Sequence, residues 1–252
     1  MKKIPTLFKR VFTEDHKKTI TREVTPGCEC VLRGECVATI KWDGACCAII
    51  NGEIYKRYDA KIGKDGKRKT PPEGAIPCQP EPDPITGHWP HWVKCEDGKS
   101  EDKWFFEALR DRTINGHYLY GLKTEDGTYE AIGSHFNGNP YSRVGDTLIR
   151  HGELCLPNQV LSIEWESNKD LRPHCDDNFC KGRSFDSIRY YLKTNPDKEG
   201  IVFWKDNEPI CKIKRSDFGF PWPPKKSDPV AHYMKRLAEV QKQSRGGLQT
   251  FA

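Results

Sequence analysis

Two residues, Asn51-Gly52, separate the β-rich runs 45–50 and 53–58. Both turn residues accept positive φ, and the resulting two-residue turn matches the twist of its flanking strands. The segment is therefore predicted to be an antiparallel hairpin. A second hairpin is predicted from strands 201–205 and 210–215 around Asp206-Asn207. Further strands are expected at 36–41, 117–122, 128–133 and 160–166.

Ser100 is the expected cap of a helix with Glu101 and Asp102 in its first turn. Its apolar face is Trp104, Phe105, Ala108 and Leu109, and Asn115-Gly116 stops it. A short helix over 184–193 turns Phe185, Ile188 and Leu192 inward and closes at Asn195-Pro196. A last helix opens at Asp228-Pro229 and ends before Gly246-Gly247. Residues 62–95, with many Gly and Pro, read as a long excursion. Strands and helices mix without βαβ regularity, so the expected class is α+β with mostly antiparallel sheets.

Composition sets the remaining bounds. A chain of 252 residues with 36% hydrophobic residues can bury a real core. Its mean hydropathy of −0.77 keeps much of it wet. No apolar run approaches a bilayer span. The opening MKKIPTLFKRVFTEDHKK interrupts its apolar residues with charge before a signal-peptide core develops. An intracellular, cytoplasmic protein is expected, and its eleven Cys read as reduced thiols. Cys28, Cys30 and Cys36, like His174, Cys175 and Cys180, lack the Cys-x-x-Cys pairing of structural zinc, so zinc is not expected. The net charge of +5 is concentrated at the ends. Residues 1–22 carry seven Lys/Arg against two Asp/Glu, and residues 225–252 carry six against two. Basic ends around a mildly acidic body suit a polyanion touching the periphery.

The chemistry centres on Lys41-Trp42-Asp43-Gly44. If the strand persists, alternation places Lys41 and Asp43 on one face. Gly44 removes a side chain that would obstruct a ligand near the backbone. A nucleophilic lysine needs its neutral form favoured, and neighbouring cations do that. Lys212 and Lys214 supply cations on one strand face, opposite Cys211 and Ile213. Glu199 opens the partner strand, and Glu130 lies in another. A carboxylate and two lysines joined by a hairpin make a metal-and-phosphate site.

Each residue also has a plainer reading. Lys41 alone is a solvated lysine, and Lys212 and Lys214 a wet edge-strand face. Arg57 pairs with Glu53 at the surface, or Lys56 takes its place. Asp43 braces a turn, Asn137-Gly138-Asn139-Pro140 forms one, and Trp89 and Trp92 fill a core rather than stack a base. His135 and His151 are structural, or touch phosphate.

Lys41-Trp42-Asp43-Gly44, Glu130 in Tyr-Glu-Ala-Ile-Gly, Glu199-Gly200-Ile201-Val202 and Lys212-Ile213-Lys214 occur in that order. The set resembles the motif series of the covalent nucleotidyltransferases, which comprise ATP-dependent DNA and RNA ligases and mRNA capping enzymes. GHWPHWV, IGSHFNGNPY, IRHG and FGFPWP narrow the resemblance to the 5′-to-3′ RNA ligase family known from vertebrates, over most of residues 35–224.

The resemblance implies an α+β nucleotidyltransferase core, ATP-grasp-like, with antiparallel sheets around a nucleotide cleft. It implies one domain, with its core at about residues 30–224, a basic segment 1–22, and a helix and tail over 225–252. The 38 residues after Lys214 are too few for the oligonucleotide-binding barrel of DNA ligases and capping enzymes, so no such domain is expected. The implied activity joins RNA 5′-phosphate and 3′-OH ends through lysyl-AMP and RNA-adenylate, with ATP and Mg²⁺, or Mn²⁺ in its place.

Lys41 would attack the α-phosphate, and Asp43 and Gly44 would line the nucleotide. Arg57 would contact nucleotide or RNA phosphate, and His151 RNA. Glu130 would bind the ribose, and Glu199 would place the metal, directly or through water. Lys212 would grip the α-phosphate beside Lys214. Ile40 stands where many relatives carry an acidic residue. RNA ends are the implied partners, with neither a membrane nor an obligate protein partner. The alternatives are a GTP-dependent capping guanylyltransferase and an inactive RNA-end-binding module.

Overall fold

A computed structural model describes residues 1–12, 14, 18–63, 66–110, 113–114, 117–118, 125–153, 156 and 183–223. Strands β1 (Phe8–Phe12) and β2 (Lys18–Val24) pair as an N-terminal hairpin, followed by a helical turn, α1 (Glu29–Leu32). Then come β3 (Val37–Lys41), β4 (Ala45–Ile50), β5 (Glu53–Asp59), β6 (Ile76–Pro77) and β7 (Pro90–Lys94). Helix α2 (Lys103–Arg110) and the short strands β8 (Thr113–Ile114) and β9 (His117–Tyr118) lead to β10 (Gly127–Gly133) and β11 (Asp146–Arg150). Helix α3 (Phe185–Thr194), β12 (Gly200–Lys205), β13 (Glu208–Lys214) and a 3-10 turn over Arg215–Phe218 complete the described chain.

The strands build a six-stranded sheet in the order β11-β10-β4-β5-β7-β6 and a three-stranded sheet in the order β13-β12-β3. All pairings between these strands are antiparallel. The described chain is thus mixed α/β, with antiparallel sheets and few helices. No helix among the described residues is long and apolar enough to cross a membrane.

Both expected hairpins form. Asn51 and Gly52 take φ of 53° and 76°, and Asp206 and Asn207 take 52° and 60°, as their turn type demands. Ser184 caps α3, accepting the Ser187 amide at 3.1 Å, and Asn195 ends it.

Two expectations are corrected. The helix assigned to Ser100 begins at Lys103, because Asp102 is buried and spends its carboxylate on the Glu96 amide (3.0 Å) and Lys56 (2.6 Å). The excursion over 62–95 contains β7, paired to β5, with Pro90 at the strand's first position, where a missing N–H is tolerated. Within the basic segment 1–22, Leu7 and Phe8 are core residues. The expected strand 160–166, the C-terminal part of 117–122, the helix from 228, and His174, Cys175 and Cys180 lie outside the described residues.

Period-2 alternation sorts the two sheets into cores and a cleft. Ala38, Ile201, Phe203, Cys211 and Ile213 point from the small sheet onto Leu7, Phe8, Val31, Ile188 and Leu192. Cys47, Ile49, Ile54, Tyr129 and Ala131 point from the large sheet onto Phe105 and Ala108 of α2. Each such aliphatic or aromatic side chain contributes roughly 1.5–3 kcal/mol by leaving water. The alternate residues, including Thr39, Lys41, Val202, Lys212, Cys46, Arg57 and Glu130, face one cavity between the sheets. Because β3 belongs to the small sheet and β4 to the large one, Trp42-Asp43-Gly44 is the corner where the chain changes sheets.

Candidate functional site

The cavity has a volume of about 310 Å³, at the small end of ligand pockets. One wall is cationic. β12 lies between β3 and β13, and Gly200 is in register with Lys41 on one side and Lys214 on the other. Glu199, one residue earlier, therefore reaches both lysines. Its Oε2 lies 2.6 Å from Lys41 Nζ, and its Oε1 pairs with Lys214 Nζ. Glu199 is only 1% exposed, so these ion pairs supply the compensation that a buried carboxylate requires. Gly200 permits the approach: a Cβ there would stand 2.2 Å from the Ile213 carbonyl oxygen.

Lys212, beside them in the cavity, has its amine pushed down to about 8, first by burial and then by the charges of Lys41 and Lys214. Lys41 instead sits in an ion pair, and its Nζ also donates to the Trp42 carbonyl at 3.1 Å.

The corner is braced from three directions. The Asp43 amide donates to the Tyr141 hydroxyl (2.6 Å), Asn137 Nδ2 donates to Asp43 Oδ1 (3.1 Å), and Trp222 Nε1 donates to Asp43 Oδ2 (2.7 Å). The strand ends at Lys41, so Asp43 does not continue its face; both its carboxylate oxygens hold the turn. Gly44 is needed for packing, since a Cβ would fall 2.1 Å from the Ala131 carbonyl oxygen. The space at its Cα belongs to β10 rather than to a ligand.

The opposite wall carries Glu130 and His151. Glu130 Oε1 accepts the Gly44 amide at 3.0 Å, and Oε2 accepts from His151 Nε2 at 3.0 Å. The other ring nitrogen of His151 lies 3.1 Å from Thr128 Oγ1. Arg57 lines the same cavity and a neighbouring one along β5 and β7. Lys56 does not replace it, being paired with Glu101 and Asp102, and Glu53 pairs with Lys94.

Lys41, Arg57, Glu130, His151 and Lys212 thus line one cavity, with Glu199 and Lys214 joined to it through the Lys41 ion pair. Asn137, Tyr141, Trp222 and Cys46 were not expected there. Asn137 had a turn signal and does take φ of 44°, but nothing local announced that its amide reaches Asp43. Trp92 is buried, and Trp89 donates to the Gln79 carbonyl at 2.9 Å, so both have structural roles. His135 stacks on Trp104 and binds Asp146 at 2.6 Å.

Four lysines (Lys2, Lys3, Lys41 and Lys212) and Arg57 line the small hollow against the carboxylates Asp59 and Glu130, and this excess of cations favours a phosphate-bearing ligand. Carboxylate and imidazole groups opposite suit hydroxyls. No family model matches the chain, and no curated protein sequence matches it.

Proposed function

We propose that the protein is an ATP-dependent RNA ligase with a nucleotidyltransferase core. It joins RNA 5′-phosphate and 3′-OH ends through lysyl-AMP and RNA-adenylate. One observation carries the reading: four sequence-distant motifs meet, with Lys41 Nζ held 2.6 Å from buried Glu199 at the edge of a cationic cavity.

Lys41 Nζ becomes a nucleophile by leaving Glu199 Oε2 and shedding a proton, for which that oxygen is an acceptor within reach. It bonds to the α-phosphorus as the bond to pyrophosphate breaks. Lys212 and Arg57 hold the phosphates in line and offset their charge. Glu130 and His151 meet the ribose hydroxyls. The RNA 5′-phosphate then takes the adenylate from Lys41, and a 3′-OH displaces AMP.

Mg²⁺ fits the donor chemistry of Glu199, whose two oxygens already accept cationic partners. When bound, it supplies charge neutralisation at the phosphates.

The test is intact mass after incubation with ATP and Mg²⁺. The wild-type chain should gain one adenylate and Lys41→Ala none. An adduct formed only from GTP would replace the ligase by a capping guanylyltransferase. RNA binding with no adduct from either nucleotide would leave an end-binding module.

A further inference from the structure

Cys46, Glu130 and His151 bring a sulfur, a carboxylate oxygen and a ring nitrogen within 4.8 Å of one another. They come from three places: Cys46 from β4, Glu130 opposite it in register on β10, and His151 from the turn after β11. That turn is tied back by the His151 amide, which donates to the Thr128 carbonyl at 3.0 Å.

Two of the donors are already oriented by second partners, as metal ligands require. Glu130 is fixed by the Gly44 amide through its other oxygen, and Thr128 Oγ1 meets the far nitrogen of His151. The spacing is close to a coordination edge. Tetrahedral zinc with bonds of about 2.0–2.1 Å to N and O sets those atoms about 3.3 Å apart. His151 Nε2 and Glu130 Oε2 are 3.0 Å apart, so a few tenths of an ångström of opening suffices.

The donor set selects the ion. Thiolate and imidazole suit a borderline-soft metal, whereas Mg²⁺ asks for a full set of oxygens. One thiolate and one carboxylate balance the charge of a divalent ion; burial and the Glu130 carboxylate push the free Cys46 thiol up to about 11, so the ion itself must displace its proton.

We propose that Cys46, Glu130 and His151 form a Zn²⁺ site with its fourth position open to the cavity, and that zinc there excludes nucleotide. Binding releases the Cys46 proton to solvent. The imidazole proton moves from Nε2 to Nδ1, where it donates to Thr128 Oγ1. Two metal bonds replace the His151–Glu130 hydrogen bond. The exclusion rests on the ligase reading, which assigns Glu130 to the ribose; the site itself does not.

The metal-free chain is titrated with Co²⁺ as a spectroscopic substitute, then with Zn²⁺. The expected result is a thiolate-to-cobalt charge-transfer band, displaced by Zn²⁺ but not by Mg²⁺. Cys46→Ser should abolish the band, and His151→Gln should weaken zinc binding about tenfold or more, with circular dichroism confirming that each variant is folded. Cys175→Ser/Cys180→Ser should bind as the wild type. A band that survives in Cys46→Ser, or a Cys175→Ser/Cys180→Ser variant that loses it, overturns the site.

In a second arm, Zn²⁺ is added to adenylation at limiting ATP and excess Mg²⁺. Zinc should suppress the adduct, raised ATP should restore it, and Cys46→Ala should be insensitive. Zinc that binds through Cys46 without slowing adenylation overturns the exclusion alone. A chain that never adenylates overturns the ligase reading, and the cobalt titration still decides the site.

Discussion

Glu199 holds Lys41 at 2.6 Å while its second oxygen holds Lys214, so one buried carboxylate fixes the positions of two cations. Glu199→Gln keeps the shape but leaves both ammonium groups uncompensated. Breaking a buried pair in this way should cost roughly 3–5 kcal/mol. Adenylation should fall at least about 100-fold, the scale seen when one preorganised electrostatic group is removed. On the ligase proposal Lys41→Ala should also abolish the adduct, but Glu199 keeps Lys214, so its thermal midpoint should fall less. Equal melting of Glu199→Gln and wild type would show that the pair does not organise the site.

Lys212 gives the site a pH signature. Its amine is pushed down to about 8 from an ordinary value of 10.5. The unfolded chain then binds the proton more tightly, so below pH 8 the folded state bears the full cost of charging this amine. That cost is relieved as pH rises from about 8 to about 10.5, so this residue's contribution to stability increases through that window. The wild-type-minus-Lys212→Met difference in thermal midpoint should show that rise, and Lys212→Met should be the more stable protein at neutral pH. A flat difference would place Lys212 in ordinary solvent. Nucleotide affinity should move the other way, weakening above pH 8 as the amine loses its charge.

Gly200→Ala tests the close approach of β12 and β13. The added methyl would meet backbone, which cannot swing aside, so a shift costing about 1–3 kcal/mol is expected. For a chain of this size that lowers the midpoint by about 2–4 °C per kcal/mol, readable by scanning calorimetry. The adduct yield should fall too, because Glu199 moves with Gly200. Unchanged melting would refute the clash.

Tyr141→Phe removes only the hydroxyl that accepts the Asp43 amide. Lost stability should be about 0.5–1.5 kcal/mol, the net worth of one hydrogen bond. The adenylation rate should drop further than melting alone explains, since the corner carries Lys41. Matched effects on rate and stability would reduce Tyr141 to a scaffold residue.

Arg10 tests the role of the N-terminal hairpin. It donates at 2.7 Å to Asp217, whose other oxygen accepts the Lys214 amide at 2.9 Å. Arg10→Ala should cost roughly 1.5–3 kcal/mol, as expected for a hydrogen bond to a charged group. Trimming residues 1–12 should unfold the small sheet's core, not merely weaken RNA binding. A trimmed chain with the wild-type midpoint would show that the N-terminal segment does not hold that core.

Where the fold was legible, the signal was local. Asn51-Gly52 and Asp206-Asn207 dictate their turns through φ alone, and Lys212 and Lys214 share a face because strands repeat every two residues. The convergence of Lys41, Glu130, Glu199 and Lys212 came from motif order, not from any physical property of one segment. What stayed hidden depends on distant partners. β7 begins with a proline and is a strand only because β5 lies beside it. Asp102 looks like a first-turn acid until Lys56 and the Glu96 amide claim it. Cys46 has no spacing signal, because its companions lie 84 and 105 residues further along the sequence. Register across β4 and β10 joins them, and register is a property of the assembled sheet.

Lys41 ends a strand of the small sheet, and Ala45, four residues on, begins a strand of the large one. Any shear of the two sheets against each other is therefore taken up within Trp42-Asp43-Gly44, directly beside the Lys41 side chain. The three hydrogen bonds that brace Asp43 stiffen that join from the side.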